Sequence, residues 1–133
     1  MKANELRPGN LILGVYEQEI DRGNGIIEDV EYEEVVTFLG YDPFEEYFWV
    51  EGGGVDDYDI FNPIPLTEEW LKRFGCVKSK DRSYFWHDSN LTLCFNDNGL
   101  FIESFVGKLY IKHVHTFQNL YYALTGEELT IKK

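Results

Sequence analysis

Long apolar runs are missing from this 133-residue sequence: nothing in it approaches the roughly 18 to 20 residues that a bilayer-spanning helix needs, so no membrane association is expected. Its first ten residues hold charges and Pro8 where a secretory signal would place a basic end and an apolar stretch, which makes the cytoplasm the expected location. Cysteine is scarce as well. Cys76 and Cys94 belong to no Cys-x-x-Cys or Cys/His cluster, which argues against a zinc site or thiol redox chemistry and for two buried thiols. Basic residues number 12 against 24 acids. Grip on nucleic acid comes mainly from Lys and Arg neutralising phosphates, so no direct nucleic-acid binding is expected.

What the chain does have is large apolar side chains and strongly localised negative charge. Three Trp, nine Tyr and ten Phe in a chain of this length exclude disorder and provide material for a core without disulfides or a metal. The net charge of −12 divides unevenly: residues 17–59 hold fifteen acids against one base, Arg22, while the segments on either side sum to nearly zero. The acidity is regional.

Turn and strand signals alternate along the N-terminal half. Pro8-Gly9 precedes a short apolar run ending near Tyr16, which reads as a turn feeding a first strand. Asp21 to Gly25 reads as a loop, and Val30 to Leu39 as a strand rich in β-branched and aromatic residues. Tyr41-Asp-Pro-Phe44 is a turn, and Tyr47 to Val50 the returning strand, which together predict an acidic hairpin. Triple glycine 52–54 leads into Asp56, Asp57 and Asp59, and Asn62-Pro-Ile-Pro65 forces an extended connection.

The C-terminal half reads as helix, strands, helix. Thr67 suits an N-cap, Glu68 and Glu69 lie in the first turn, Leu66 and Leu71 occupy the staple positions, and Gly75 can close the helix in the left-handed conformation. Strands are expected at 84–87, 91–95, 100–105 and 109–112, with Asn98-Gly99 as a type I′ hairpin turn. A last helix at 116–125 would lay Phe117, Leu120, Tyr121 and Leu124 on the sheet and end at Gly126. The fold class is α+β: an N-terminal antiparallel β hairpin or small β unit, a helix, a four-stranded antiparallel meander and a C-terminal helix. One compact domain is expected, with sub-units at 1–62 and 66–133.

Three separated strings carry a resemblance. They are Met1-Lys-Ala-Asn-Glu-Leu-Arg with Gly9-Asn10, Ile64-Pro-Leu-Thr-Glu-Glu-Trp-Leu with Phe74-Gly75, and Val114-His115 with Gln118-Asn-Leu-Tyr and Ala123-Leu-Thr-Gly-Glu-Glu-Leu129. In these strings the chain resembles a family of small uncharacterised proteins from gut Bacteroidetes genomes, often in prophage-like or mobile regions. The resemblance implies a cytoplasmic accessory protein of phage origin and brings no activity or ligand with it.

Sites for chemistry are thin. A His113-x-His115 pair can bind a transition metal from one strand face but lacks a recognisable third ligand, and a structural role beside the helix start is the stronger reading. Asp56, Asp57 and Asp59 do not follow the EF-hand spacing, and the triple glycine lacks the Lys-Ser/Thr of a phosphate loop. No nucleophile sits in a catalytic setting, so no enzyme, metal or cofactor is expected. Recognition remains. Acids interleaved with aromatics suit a basic protein partner, drawn in by long-range attraction and anchored by exposed rings. Glu31, Glu33, Glu34, Trp49, Asp56, Asp57 and Asp59 are the candidate partner-binding residues. Three alternatives stand beside this reading: a DNA mimic that occupies a nucleic-acid-binding protein, a structural component of a phage particle, and a small metal-dependent hydrolase using the histidines with the Asp56 to Asp59 loop.

Overall fold

The computed structural model describes residues 3–55, 60–80, 84–87, 91–104 and 107–132. The chain is α+β in class and mostly β, with antiparallel sheets and two α-helices. It divides into two compact units, Met1–Ile64 and Pro65–Lys133, and the division falls within the proline-containing stretch 62–65.

In the first unit five strands run in the order β4-β3-β2-β1-β5. They are β1 (Leu11–Asp21), β2 (Ile27–Asp42), β3 (Tyr47–Val50), β4 (Gly53–Val55) and β5 (Phe61–Asn62). The expected Tyr47–Val50 hairpin partner is present, but it pairs only with the far end of β2, from Phe38 to Asp42. Most of β2 pairs with β1 in an unbroken register from Leu11↔Thr37 to Asp21↔Ile27. The first strand therefore continues through Glu17, Glu19 and Asp21 well past Tyr16. Acidic residues are poor strand formers, and cross-strand pairing overrides that preference here.

The core on one side of this sheet is Ile12, Val36, Phe38, Phe48, Val50 and Phe61, with Leu6, Tyr16 and Ile60 packed against it. Phe48 stacks on Phe61 and meets Phe38 at the same ring separation, 5.4 Å. Leu39 is the extra residue of a β-bulge between Phe38↔Val50 and Gly40↔Trp49. Buried Asn10 fastens the start of β1: its carbonyl accepts from Phe38 N–H at 2.8 Å, and its side-chain Oδ1 accepts from Arg7 N–H at 2.7 Å. The turn between the long strands needs left-handed backbone at three successive residues, Gly23, Asn24 and Gly25, of which two have no Cβ to clash.

The second unit also holds five strands, ordered β10-β9-β8-β7-β6. Around them lie α1 (Glu68–Arg73) and α2 (Val114–Thr125); the strands are β6 (Val77–Lys78), β7 (Tyr84–His87), β8 (Leu91–Asn96), β9 (Gly99–Ser104) and β10 (Gly107–Tyr110). The meander thus gains a short first strand, β6, beyond the four expected. Thr67 caps α1 by accepting from Trp70 N–H. A Schellman motif closes it: Gly75 N–H donates to Lys72 O and Cys76 N–H to Leu71 O, with Gly75 at φ +88°.

Three local expectations are corrected. The β8–β9 connection is Asp97-Asn98, with Asn96 opposite Gly99, so Asn98-Gly99 is not a type I′ pair. Asn98 keeps a negative φ, its N–H being taken by Asn96 Oδ1 in an Asx turn at 2.8 Å. α2 begins at Val114, because the bridge of His113 to Pro65 holds His113 extended and its carbonyl takes the first helical bond, from Phe117. The buried stripe of α2 is Val114, Phe117, Gln118 and Tyr121, at i, i+3, i+4 and i+7, while Leu124 is exposed.

Phe117 and Leu71 are fully buried, and Phe117 meets Phe74 edge to face at 5.9 Å. Phe117→Ala should cost about 3–5 kcal/mol in urea unfolding, Thr67→Ala about 1 kcal/mol through the lost cap, and Leu124→Ala less than about 0.5 kcal/mol.

Candidate functional site

Beyond the core, the β1–β2 pair projects as a two-stranded ribbon. Side chains alternate faces along a strand, and cross-strand partners share a face. Tyr16↔Tyr32, Gln18↔Val30 and Ile20↔Glu28 therefore lie on the core side, continuing Ile12↔Val36 and Gly14↔Glu34. The other face carries Val15↔Glu33, Glu17↔Glu31, Glu19↔Asp29 and Asp21↔Ile27. Six acids in four successive ranks occupy that face, and all six are exposed.

The hydrogen-bond parity sharpens the electrostatics. Arg22 N–H donates to Ile26 O at 2.9 Å, and Phe38 N–H to Asn10 O at 2.8 Å, which places even-numbered partners in the hydrogen-bonded pairs. Odd-numbered partners are then the non-hydrogen-bonded pairs, where Cα atoms approach to about 4.5 Å and side chains come closest. Glu17 faces Glu31 and Glu19 faces Asp29 at those close positions. Like charges directly opposite are destabilising, by about 0.8 kcal/mol per pair at 5 Å in bulk water before salt screening. The one base of the region, Arg22, pairs through Nε with Glu28 Oε2 at 2.9 Å, and Glu28 belongs to the opposite face. The six-acid face is left without an internal counter-charge among the described residues.

Toward the core-bearing end the same face turns apolar through Leu13↔Val35 and Leu11↔Thr37, followed across the bulge by Trp49 and Tyr47. Trp49 alternates with buried Phe48 and Val50, so its ring lies on the side away from the core, 48% exposed. It rests over Gly54, where a Cβ would come within 2.9 Å of the ring, and its centroid is 5.9 Å from that of Tyr47.

Of the residues singled out from sequence, Glu31, Glu33 and Trp49 are brought onto this face, although not side by side. Glu34 stands on the other face opposite Gly14. Asp56, Asp57 and Asp59 lie outside the described residues. Glu17, Glu19, Asp21 and Asp29 were missed, and the signal was available: acids at 17, 19 and 21 and at 29, 31 and 33 flank a Gly-Asn-Gly turn at the spacing of one strand face.

The other candidates assemble less. His113 is the N-cap position of α2 and His115 sits in its first turn, their rings stacked at 5.6 Å, so the pair is not on a strand. Among the described residues no three metal-ligating side chains converge. Cys94 is held above its ordinary thiol value by burial and by Glu103. In the second unit a groove of about 210 Å³ is bordered by Leu66, Leu100, Tyr110 and Ile111. Asn96 donates to the Tyr110 hydroxyl at 3.0 Å, which holds the pKa of that phenol below its ordinary value.

Glu17→Gln and Glu31→Gln should each raise stability, by about 0.2–1 kcal/mol in denaturant unfolding at low ionic strength. The double substitution should gain less than the sum, because the first already removes the opposed pair. Burial, then Glu34 and Tyr32, push the Tyr16 phenol above its ordinary value of 10.0. Its neutral form is favoured by folding, so that contribution is present below pH 10.0 and is lost as pH rises through the higher folded value. Ultraviolet titration of wild type against Tyr16→Phe should show one late-titrating tyrosine missing from the variant. No family model, curated protein or solved structure matches the chain, so the geometry of the acidic ribbon face is the ground on which a role is assigned.

Proposed function

We propose that the protein is a non-enzymatic binding or accessory module that engages a basic protein partner through the acidic face of the β1–β2 ribbon, with Trp49 as an apolar anchor on the same sheet face. One observation carries this reading. Six carboxylates share a face with two pairs directly opposed at the closest cross-strand positions, and the only base in the region pairs on the other side. Such an arrangement weakens the free protein and is relieved when a partner supplies cations. Its field also speeds encounter with a basic surface in a salt-dependent way. Exposed Trp is among the residues that most often dominate binding energy when it becomes covered. The cytoplasm and a prophage-like setting complete the proposal.

The DNA-mimic version has less support from the spacing. Six acids in four ranks, with ranks about 6.8 Å apart, amount to one charge per about 4.5 Å of ribbon, whereas duplex DNA carries one per about 1.7 Å. A partner recognising individual strand positions fits the ribbon better than one adapted to duplex charge density.

Two variants of equal net charge test the reading. Glu17, Glu19, Glu31 and Glu33 changed together to Gln should abolish salt-sensitive capture of a basic protein from host lysate. The same change at Glu28 and Glu34, on the opposite face of the ribbon, and at Glu45 and Glu46, in the turn between β2 and β3, should leave capture intact. Equal recovery by both variants would remove the assignment.

A further inference from the structure

Among the described residues the outer edge of β2 is unpaired from Ile27 to Val35. Among the described residues β3 pairs with β2 only from Phe38 onward, and no strand lies beside Ile27 to Val35 on that side. Glu51 N–H donates to Thr37 O at 2.9 Å, which shows that odd-numbered residues of β2 turn their backbone groups away from β1. Ile27, Asp29, Glu31, Glu33 and Val35 therefore present N–H and C=O groups along one line that no strand among the described residues pairs, and all five residues are exposed. Bare edges of this length are templates for another strand.

We propose that this edge receives an extended basic segment of the protein partner, added to β2 as a further antiparallel strand with Lys or Arg at every second residue. The proposal rests on the function assigned above and specifies how the partner is held. Backbone parity and side-chain parity coincide: the residues whose N–H and C=O point outward are those whose carboxylates lie on the acidic face. A strand bonded to Asp29, Glu31 and Glu33 places its own directly opposite side chains on that face, with Cβ atoms about 4.5–5.5 Å from the acids. Cations at alternate positions meet all three. The intervening side chains fall beside Val30 and Tyr32 on the other face, where small, apolar or polar residues are accommodated.

Charge selects this occupant over a second copy of the chain. Pairing two β2 edges would set Asp29, Glu31 and Glu33 of one copy against the same residues of another, adding like-charge contacts to those already present. Among the described residues the outer edge of β1 is unpaired over a shorter stretch, Val15 to Asp21, since β5 covers Leu13 and Gly14. The test separates the two edges.

Full-length protein would be titrated into two fluorescein-labelled ten-residue peptides of five Lys and five Thr, one strictly alternating and one with the lysines in a block, read by anisotropy at low salt. The alternating peptide should bind at least about fivefold more tightly, the equivalent of one or two added hydrogen bonds. Glu31→Pro removes an outward donor without touching a bond to β1 and should weaken binding at least about fivefold beyond Glu31→Gln, whereas Glu19→Pro should not exceed Glu19→Gln. Independently of protein folding, N-methylation of the lysines, whose N–H groups face β2, should abolish the advantage of alternation, and N-methylation of the threonines should preserve it. Equal binding of the alternating and block peptides would overturn strand addition while leaving the acidic face as a cation-binding surface. A loss confined to Glu19→Pro would overturn the edge assignment, and failure of both peptides to bind at all would overturn both this proposal and the function on which it rests.

Discussion

The register of β1 against β2 decides what the ribbon presents. It is set at the core-bearing end, where Ile12 meets Val36 among buried aromatics and buried Asn10 bonds to Phe38 and Arg7. A slip of one residue would turn Ile12 outward and carry every odd-numbered acid to the core side. Burial of Ile12, Val36 and Phe38 opposes that slip, and the Gly23-Asn24-Gly25 turn fixes the strand lengths at the far end. The acidic face is thus specified by apolar contacts about 10 to 30 Å along the strands from the acids themselves.

A two-stranded ribbon with both faces in water is only marginally stable, and this one also carries opposed like charges. Its compensation lies on the other face. Tyr16 and Tyr32 approach at 5.5 Å, Tyr16 meets Phe61 edge to face, and Ile20 and Val30 are half-buried beside them. Beyond these, Arg22 and Glu28 pair across the strands, but both are exposed and such pairs contribute little. Apolar pairs on one side therefore hold together a structure that the other side works against. The acids have a second effect, since charge along an open edge discourages pairing between copies.

The parts of the fold legible in the sequence are those governed by local rules. Thr67, Gly75 and Gly126 act as caps where their chemistry requires it, and the prolines at 63 and 65 mark the division between units. What was hidden depends on partners distant in sequence. Glu17 to Asp21 resembles a solvated loop until Ile27 to Glu31 is placed opposite it. The start of α2 is set by a bridge between His113 and Pro65, and the β8–β9 turn by the side chain of Asn96, neither of which appears in a dipeptide signal. For the candidate site, composition located the region, whereas separating Glu33 from Glu34 required strand parity.

On the proposed function, that parity also bears on how a partner is chosen. Six acids within about 20 Å of ribbon extend their field only a Debye length or so, about 8 Å at physiological salt, so attraction alone would favour any polycation that comes near. Periodicity distinguishes among them. Outward backbone groups and carboxylates recur together every second residue, at about 6.8 Å, which matches the side-chain repeat of an extended strand and differs from the 5.4 Å pitch of a helix. A basic helix or disordered polycation can neutralise the face but cannot satisfy the edge in step with it. An extended basic segment would do both, and on the proposed function the specificity of the ribbon lies in the coincidence of two repeats rather than in net charge.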